Sequence, residues 1–203
     1  MRCRTLCVIL ATAVLSSVAD GQSRYPNSVQ LSGIYNSLSG SDYSGYNGGV
    51  GFELQFRHSV SSWSYGGGVQ FTSHSLDASQ GVNGSVKLLG VFFEPRYVFK
   101  TTGSLAPYLA GRVAVIRQNL ETDEIIQGFG GLSASGTGTQ ANVGGGLLFA
   151  MSRRANLDLG ATFGLVKFGT FSSNNANQQI TQQESGSGTN LVLRAGVSVG
   201  LGK

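Results

Sequence analysis

The stretch VGFELQFR, Val50 to Arg57, alternates without a break: Val50, Phe52, Leu54 and Phe56 are apolar, and Gly51, Glu53, Gln55 and Arg57 between them are small or polar. A period of two is the repeat of a β-strand, whose successive side chains point to opposite faces. The next segment repeats it, with Tyr65, Gly67, Val69 and Phe71 on one face and Gly66, Gly68, Gln70 and Thr72 on the other. Further on, Leu89, Val91, Phe93, Pro95, Tyr97 and Phe99 oppose Glu94 and Arg96, and Leu105, Pro107, Leu109, Val113 and Val115 oppose Tyr108 and Arg112. Three later segments keep the rule: Ala141, Val143, Leu147, Phe149 and Met151; Leu157, Leu159, Ala161, Phe163 and Leu165; and Leu191, Leu193, Ala195, Val197, Val199 and Leu201. With a weaker opening strand around Ser28 to Leu38, the pattern predicts eight strands.

Any antiparallel sheet with one buried face alternates in this way. The lengths of the links narrow the choice. Taken in order, the first, third, fifth and seventh links (Gly40 to Gly45, Leu76 to Asn83, Gln118 to Thr137, Phe171 to Gly188) are long and polar. The second, fourth and sixth (Ser59 to Ser62, Thr101 to Ser104, Ser152 to Asn156) are short. Long loops on one rim and tight turns on the other, with both ends of an even strand set on the short-turn side, describe a barrel that crosses a membrane.

Charge tells which face points out. Glu53, Arg57, Glu94, Arg96, Arg112, Asp158 and Arg194, read as the charged residues of the strands, share the face opposite the large apolar residues. Were the apolar face inside, an eight-stranded lumen would have to hold about three dozen apolar side chains, whereas such an interior is only just filled by ordinary ones. The apolar face therefore points into lipid, and the expected fold is all-β: an eight-stranded antiparallel up-and-down transmembrane β-barrel. Charges enclosed in its lumen must be paired, so the seven are read as a structural lumen network, with Glu53, Glu94, Arg96 and Arg112 as a paired plug. Aromatic girdles are expected at both rims: Trp63, Tyr65, Tyr97 and Phe99 by the short turns, and Tyr43, Tyr46, Phe168 and Phe171 by the long loops.

Ahead of the barrel, Arg2 and Arg4 precede an apolar run from Leu6 to Leu15 and the small-residue segment Ser16, Ser17, Val18 and Ala19, the layout of a secretory signal peptide. Cleavage at Asp20 or before Gln22 suits the small residues equally. Residues 1–21 are taken as the signal peptide and 22–203 as the barrel domain, with room for one domain at this length. Both cysteines, Cys3 and Cys7, fall within the leader, so no disulfide or thiol site is expected in the mature chain. With 40% hydrophobic residues the chain is too apolar for disorder, and 31 glycines disfavour helices, at about 1 kcal/mol per interior glycine. The 14 Lys and Arg are scattered rather than gathered into a stripe, so nucleic acid is not an expected partner.

Phe93, Glu94, Pro95, Arg96, Tyr97 and Val98, a short turn, and then Ala106, Pro107, Tyr108 and Leu109 resemble a hairpin of the OmpA-like and OmpX-like outer-membrane β-barrel family. Val143 to Phe149 is similar to that family's following strand. The resemblance covers roughly Ser28 to the C-terminus and implies a bacterial outer-membrane location, with membrane lipid as the surrounding partner. It extends to the barrel alone and not to a peptidoglycan-binding domain. The last strand, Gly196 with Val197, Val199 and Leu201, resembles the C-terminal signal read by the barrel-assembly machinery, with Gly202 and Lys203 in place of a terminal aromatic.

Three function classes follow: a structural or surface-interaction scaffold with a charge-plugged lumen, a narrow porin-like channel, and, last, a rim-sited lipid hydrolase. The hydrolase needs a His, a Ser nucleophile and an acid in contact. Of the two histidines, His58 lies beside a short turn, and His74 lies near the long-loop rim, followed by Ser75 and Asp77; it is read as a plain rim residue and no catalytic residue is assigned. Two isolated histidines make no metal cluster, and Glu121, Asp123 and Glu124 read as a solvated loop, so neither metal nor cofactor is expected. The two longest loops, rich in Gly, Ser, Thr, Asn and Gln, could take a surface ligand.

Overall fold

The computed structural model describes residues 25–43, 45–76, 84–99, 101–122, 133–175, 178–182 and 186–202, with side chains described throughout except at 120–122, 133–134, 170–175 and 178–182. Residues 1–21, read above as a signal peptide, Asp77, Asp123, Glu124 and the side chains of Glu121 and Phe171 lie outside that description. Among the described residues there are nine strands: β1 (Asn27–Ser39), β2 (Gly49–Val60), β3 (Trp63–Ser75), β4 (Gly84–Val98), β5 (Leu105–Thr122), β6 (Ser133–Ala150), β7 (Ala155–Asn175), β8 (Gln178–Gln182) and β9 (Ser187–Leu201). From β1 to β7 each strand pairs antiparallel with the next, β7 pairs with β9, and β9 returns to β1 from Asn27↔Leu201 to Ser39↔Thr189. Eight strands thus close a ring. The short β8 folds back on the far end of β7, from Phe171↔Gln182 to Asn175↔Gln178, within the last long link.

Closure leaves the ring without an edge, as a barrel in lipid requires, because an unpaired backbone group there costs several kcal/mol. Ser61 and Ser62 alone join β2 to β3, with Ser61 in the left-handed region at φ 54° and Val60 directly opposite Trp63. Large apolar side chains cover the outside: Val143 is 72% exposed, Leu165 66% and Val50 65%. Continuous apolar surface of this extent is foreign to a monomeric protein in water and is satisfied by lipid.

Several strands are longer than their alternation predicts. β5 and β6 continue through Gln118–Thr122 and Ser133–Thr137, and β7 runs to Asn175, where loops were expected. About 9–11 residues take a tilted strand across the hydrocarbon, so these 18- and 21-residue strands outrun the lipid on the long-loop side. There the outer face meets water, and the ladder continues without an apolar code. One expectation fails as a result: Lys87, Arg117 and Lys167 are strand residues on the outer face, so strand charge is not confined to the lumen.

The inner face is also less uniform than a polar lining. One apolar cluster, Leu38, Tyr43, Val86, Leu88, Phe92, Ala114, Ile116, Val166 and Phe168, fills the lumen toward the long-loop rim. Another, Val98, Ala106, Tyr108, Ala110 and Leu148 of β4, β5 and β6, covers one side of the lumen toward the short turns, across from Ser28, Ser64, Asn156 and Ser198. The charged residues lie between the two.

Candidate functional site

Inward positions of β2, β4, β5, β7 and β9 converge at mid-barrel. Glu53, Glu94 and Asp158 are fully buried, and Arg57, Arg96, Arg112 and Arg194 are at most 6% exposed. Period-two alternation aims each of them inward, and the curvature of the ring brings residues up to 141 positions apart into contact.

Glu94 is the hub. Its Oε1 accepts from Arg57 Nη2 at 2.9 Å and Arg96 Nε at 2.6 Å, and its Oε2 accepts from Arg112 Nε at 2.7 Å and Arg194 Nη1 at 2.9 Å. Arg112 Nη2 also lies 2.6 Å from Oε2. Glu53 receives Arg112 Nη1 at 2.8 Å and Arg194 Nη1 at 3.1 Å. Asp158 takes Arg96 Nη1 at 2.7 Å, Gln30 Nε2 at 2.8 Å and the Tyr108 hydroxyl at 2.7 Å, and that hydroxyl accepts from Arg194 Nη2 at 3.0 Å. Gln70 joins from β3 by accepting from Arg112, and donates to Gln140 on β6. All eight strands of the ring therefore supply a member. Two guanidinium groups also stack, Arg96 4.4 Å above Tyr108 and Arg112 4.0 Å above Phe92.

The mouth on the long-loop side is closed by apolar contacts. The link between β1 and β2 turns inward, with Tyr43 edge-on to Tyr46 at 5.6 Å and to Phe168 at 6.3 Å. Gln118 Nε2 donates to the Tyr46 hydroxyl at 2.9 Å, and Asp42 accepts from the Ser187 backbone at 2.8 Å. Tyr43 is 4% exposed and Phe168 fully buried, so these residues plug the mouth instead of forming an outward girdle. Aromatic character alone does not say which face a loop residue takes once its backbone leaves the strand. Burial, with Tyr46 and Asp42 beside it, pushes the Tyr43 phenol up to about 12.

Outside, at the short-turn rim, Trp63, Tyr65, Tyr97 and Phe99 form one surface, with Trp63 stacked on Tyr65 at 6.3 Å and edge-on to Tyr97 at 5.3 Å, and Tyr97 edge-on to Phe99 at 5.2 Å. His58 sits at the same rim, its Nδ1 2.8 Å from Asn27 Oδ1. His74 is fully buried and faces the lumen, within hydrogen-bond reach of the Asn47 carbonyl at 3.0 Å and Thr72 Oγ1 at 3.2 Å. It is an enclosed lumen residue, not an open rim position. Ser75, one residue on, takes the opposite face and accepts from Asn47 Nδ2. Among the described residues no three His, Cys, Asp or Glu are grouped to hold a metal ion.

Tyr108, Gln30 and Gln70 belong to the network but were not foreseen in it. The available signal was glycine: a Cβ at Gly146 or Gly160 would run into the Tyr108 hydroxyl, so these two inward glycines clear its path to Asp158.

No family model and no curated protein sequence matches the chain. Solved structures do. Neisserial surface protein A is 18% identical over 87% of this chain and 97% of its own, with a TM-score of 0.61. A major outer membrane protein from Thermus thermophilus is 12% identical over 85% and 98%, TM-score 0.54. The outer membrane protein OprG from Pseudomonas aeruginosa is 13% identical over 88% and 97%, TM-score 0.52. The chain has the fold of an outer-membrane β-barrel. At these identities the likeness concerns the fold; what this barrel's lumen does follows from its own residues, which occlude it with an ion-paired layer under an apolar one on the long-loop side and beside a smaller apolar cluster on the short-turn side.

Proposed function

We propose that this barrel is a surface scaffold of the OmpA-like and OmpX-like kind, exported by a leader at 1–21, inserted by the barrel-assembly machinery through β9, and held rigid by its lumen charges. One observation carries the reading: Glu94 binds four arginines beneath an apolar lid. An ion crossing the lumen would have to enter an apolar layer and then break pairs whose desolvation is already met. The network is thus structural, Trp63, Tyr65, Tyr97 and Phe99 anchor the lower interface, and the long loops carry whatever surface ligand the protein has.

A narrow porin-like channel is the second reading. It draws on the short-turn side, where both amide atoms of Gln55 and Nε of Arg57 lack a described partner and a cavity of about 30 Å³ adjoins Arg57 and Ser64. That volume suits about one water, not a file of them. Osmotic swelling of liposomes carrying the refolded protein separates the two: the scaffold leaves uptake of a small amino acid at the protein-free rate, and faster swelling rejects it.

A further inference from the structure

On β5 the outward apolar run Leu105 to Val115 meets Arg117, and on β7 the run Leu157 to Leu165 meets Lys167. Each run has the length of about 9–11 residues that crosses the hydrocarbon, which puts the basic residue at headgroup level on the long-loop side. Lys87 occupies the same place on β4, beyond Leu89. Between β5 and β7, β6 presents Thr137 opposite Arg117 and Thr139 opposite Lys167. Elsewhere the outer face ends on that side without charge: in hydroxyls at Ser37 and Ser39 on β1, Ser73 and Ser75 on β3, and Thr189 and Ser187 on β9, and at Val50 on β2. The basic charge therefore occupies one sector, and Arg117 and Lys167, both exposed, form no ion pair with a described side chain.

Below this sector lies a groove of about 600 Å³, lined by Val91, Phe93, Val113, Val115, Leu165 and Lys167. It arises because β6 shows only Thr139 and Ala141 at this height, between the larger side chains of β5 and β7. The two features select for different parts of one molecule: an apolar chain below and a phosphate above, for which Arg supplies a bidentate fork and Lys a point charge.

We propose that this face binds one phosphorylated, multiply acylated glycolipid of the outer leaflet, an acyl chain lying along β6 and a phosphate held between Arg117 and Lys167. The site needs only the barrel's placement in the outer membrane and is independent of whether the lumen conducts. Native mass spectrometry of the refolded protein in mixed micelles, with bis-phosphorylated lipid A as the probe, counts retained glycolipid. Loss of two basic side chains at an anionic lipid surface predicts retention about thirtyfold weaker for the double variant Arg117→Ser, Lys167→Ser. The charge-matched control Arg153→Ser, Arg154→Ser at the short-turn rim keeps wild-type retention, and heat-modifiable gel mobility verifies folding. Lys167→Glu alone serves if the double variant does not fold, and it must also weaken retention. Equal retention by the folded variants overturns the proposal. So does equal retention of dephosphorylated lipid A, which makes the groove alone the site, or equal binding of the deacylated phosphorylated disaccharide, which makes it a free-anion site.

Discussion

Replacing Glu94 with Gln keeps the shape of the hub and removes its charge. The wild-type cluster sets four arginines against three carboxylates; the variant sets four against two, raising the buried net charge from +1 to +2. The amide oxygen can still accept from Arg57 and Arg96, but the new NH2 group faces Arg112 and Arg194, donor against donor. Two charged hydrogen bonds are lost at about 1.5–3 kcal/mol each, and removing one partner of a buried ion pair costs about 3–5 kcal/mol. Glu94→Gln should therefore destabilise the barrel by about 3–5 kcal/mol. Urea unfolding in phospholipid vesicles measures it, followed by fluorescence of Trp63, the chain's one tryptophan, on the outer surface. Adding Arg112→Gln removes a cation along with the anion and should recover part of the loss through a favourable coupling. A loss below about 1 kcal/mol, the range of a solvated pair, would contradict a dry ion-paired cluster, because it would mean the charges are bathed in water.

Three other outcomes follow. Tyr108→Phe deletes the hydroxyl shared by Asp158 and Arg194 and should cost about 1–3 kcal/mol in the same assay. Gly160→Ala places a methyl group against the Tyr108 hydroxyl and should cost about 1–3 kcal/mol by overpacking; combined with Tyr108→Phe its added cost should shrink, which a double-mutant cycle reads. The Tyr43 phenol, raised from 10.0 to about 12, favours the neutral form in the fold; its contribution is full below pH 10 and lost as pH rises through about 12, so loosening of the mouth should track that window, and ultraviolet titration should find one tyrosine ionising late that Tyr43→Phe removes.

The period-two code made the ring legible because lipid imposes it: each residue that crosses the hydrocarbon must satisfy either lipid or lumen. Val50–Arg57 could be assigned to its faces from that alternation alone. The code ends where the lipid ends, which is why Gln118–Thr122 and Ser133–Thr137 read as loop although their backbones pair. Inside the lumen the signal was partial. Glu94 and Arg112 declared themselves by charge, but Val86, Leu88 and Phe92 alternate in phase with the charged positions and disappear into the pattern of an apolar strand flanked by more apolar residues. Tyr43 could not be placed by periodicity, since it sits in a turn whose direction depends on contacts with Tyr46 and Phe168. The outward basic sector was hidden for the reason the long strands were: Arg117 stands next to a stretch read as loop, just beyond the last outward apolar position of its strand, Val115.

Conductance of single refolded barrels in a planar bilayer tests the sealed lumen most directly. The ion-paired layer held between two apolar clusters predicts a silent trace from protein whose heat-modifiable mobility marks it as folded. Discrete steps from that same protein, with an ion preference that changes on Arg112→Glu, would contradict the sealed lumen and make the cluster the lining of a pore.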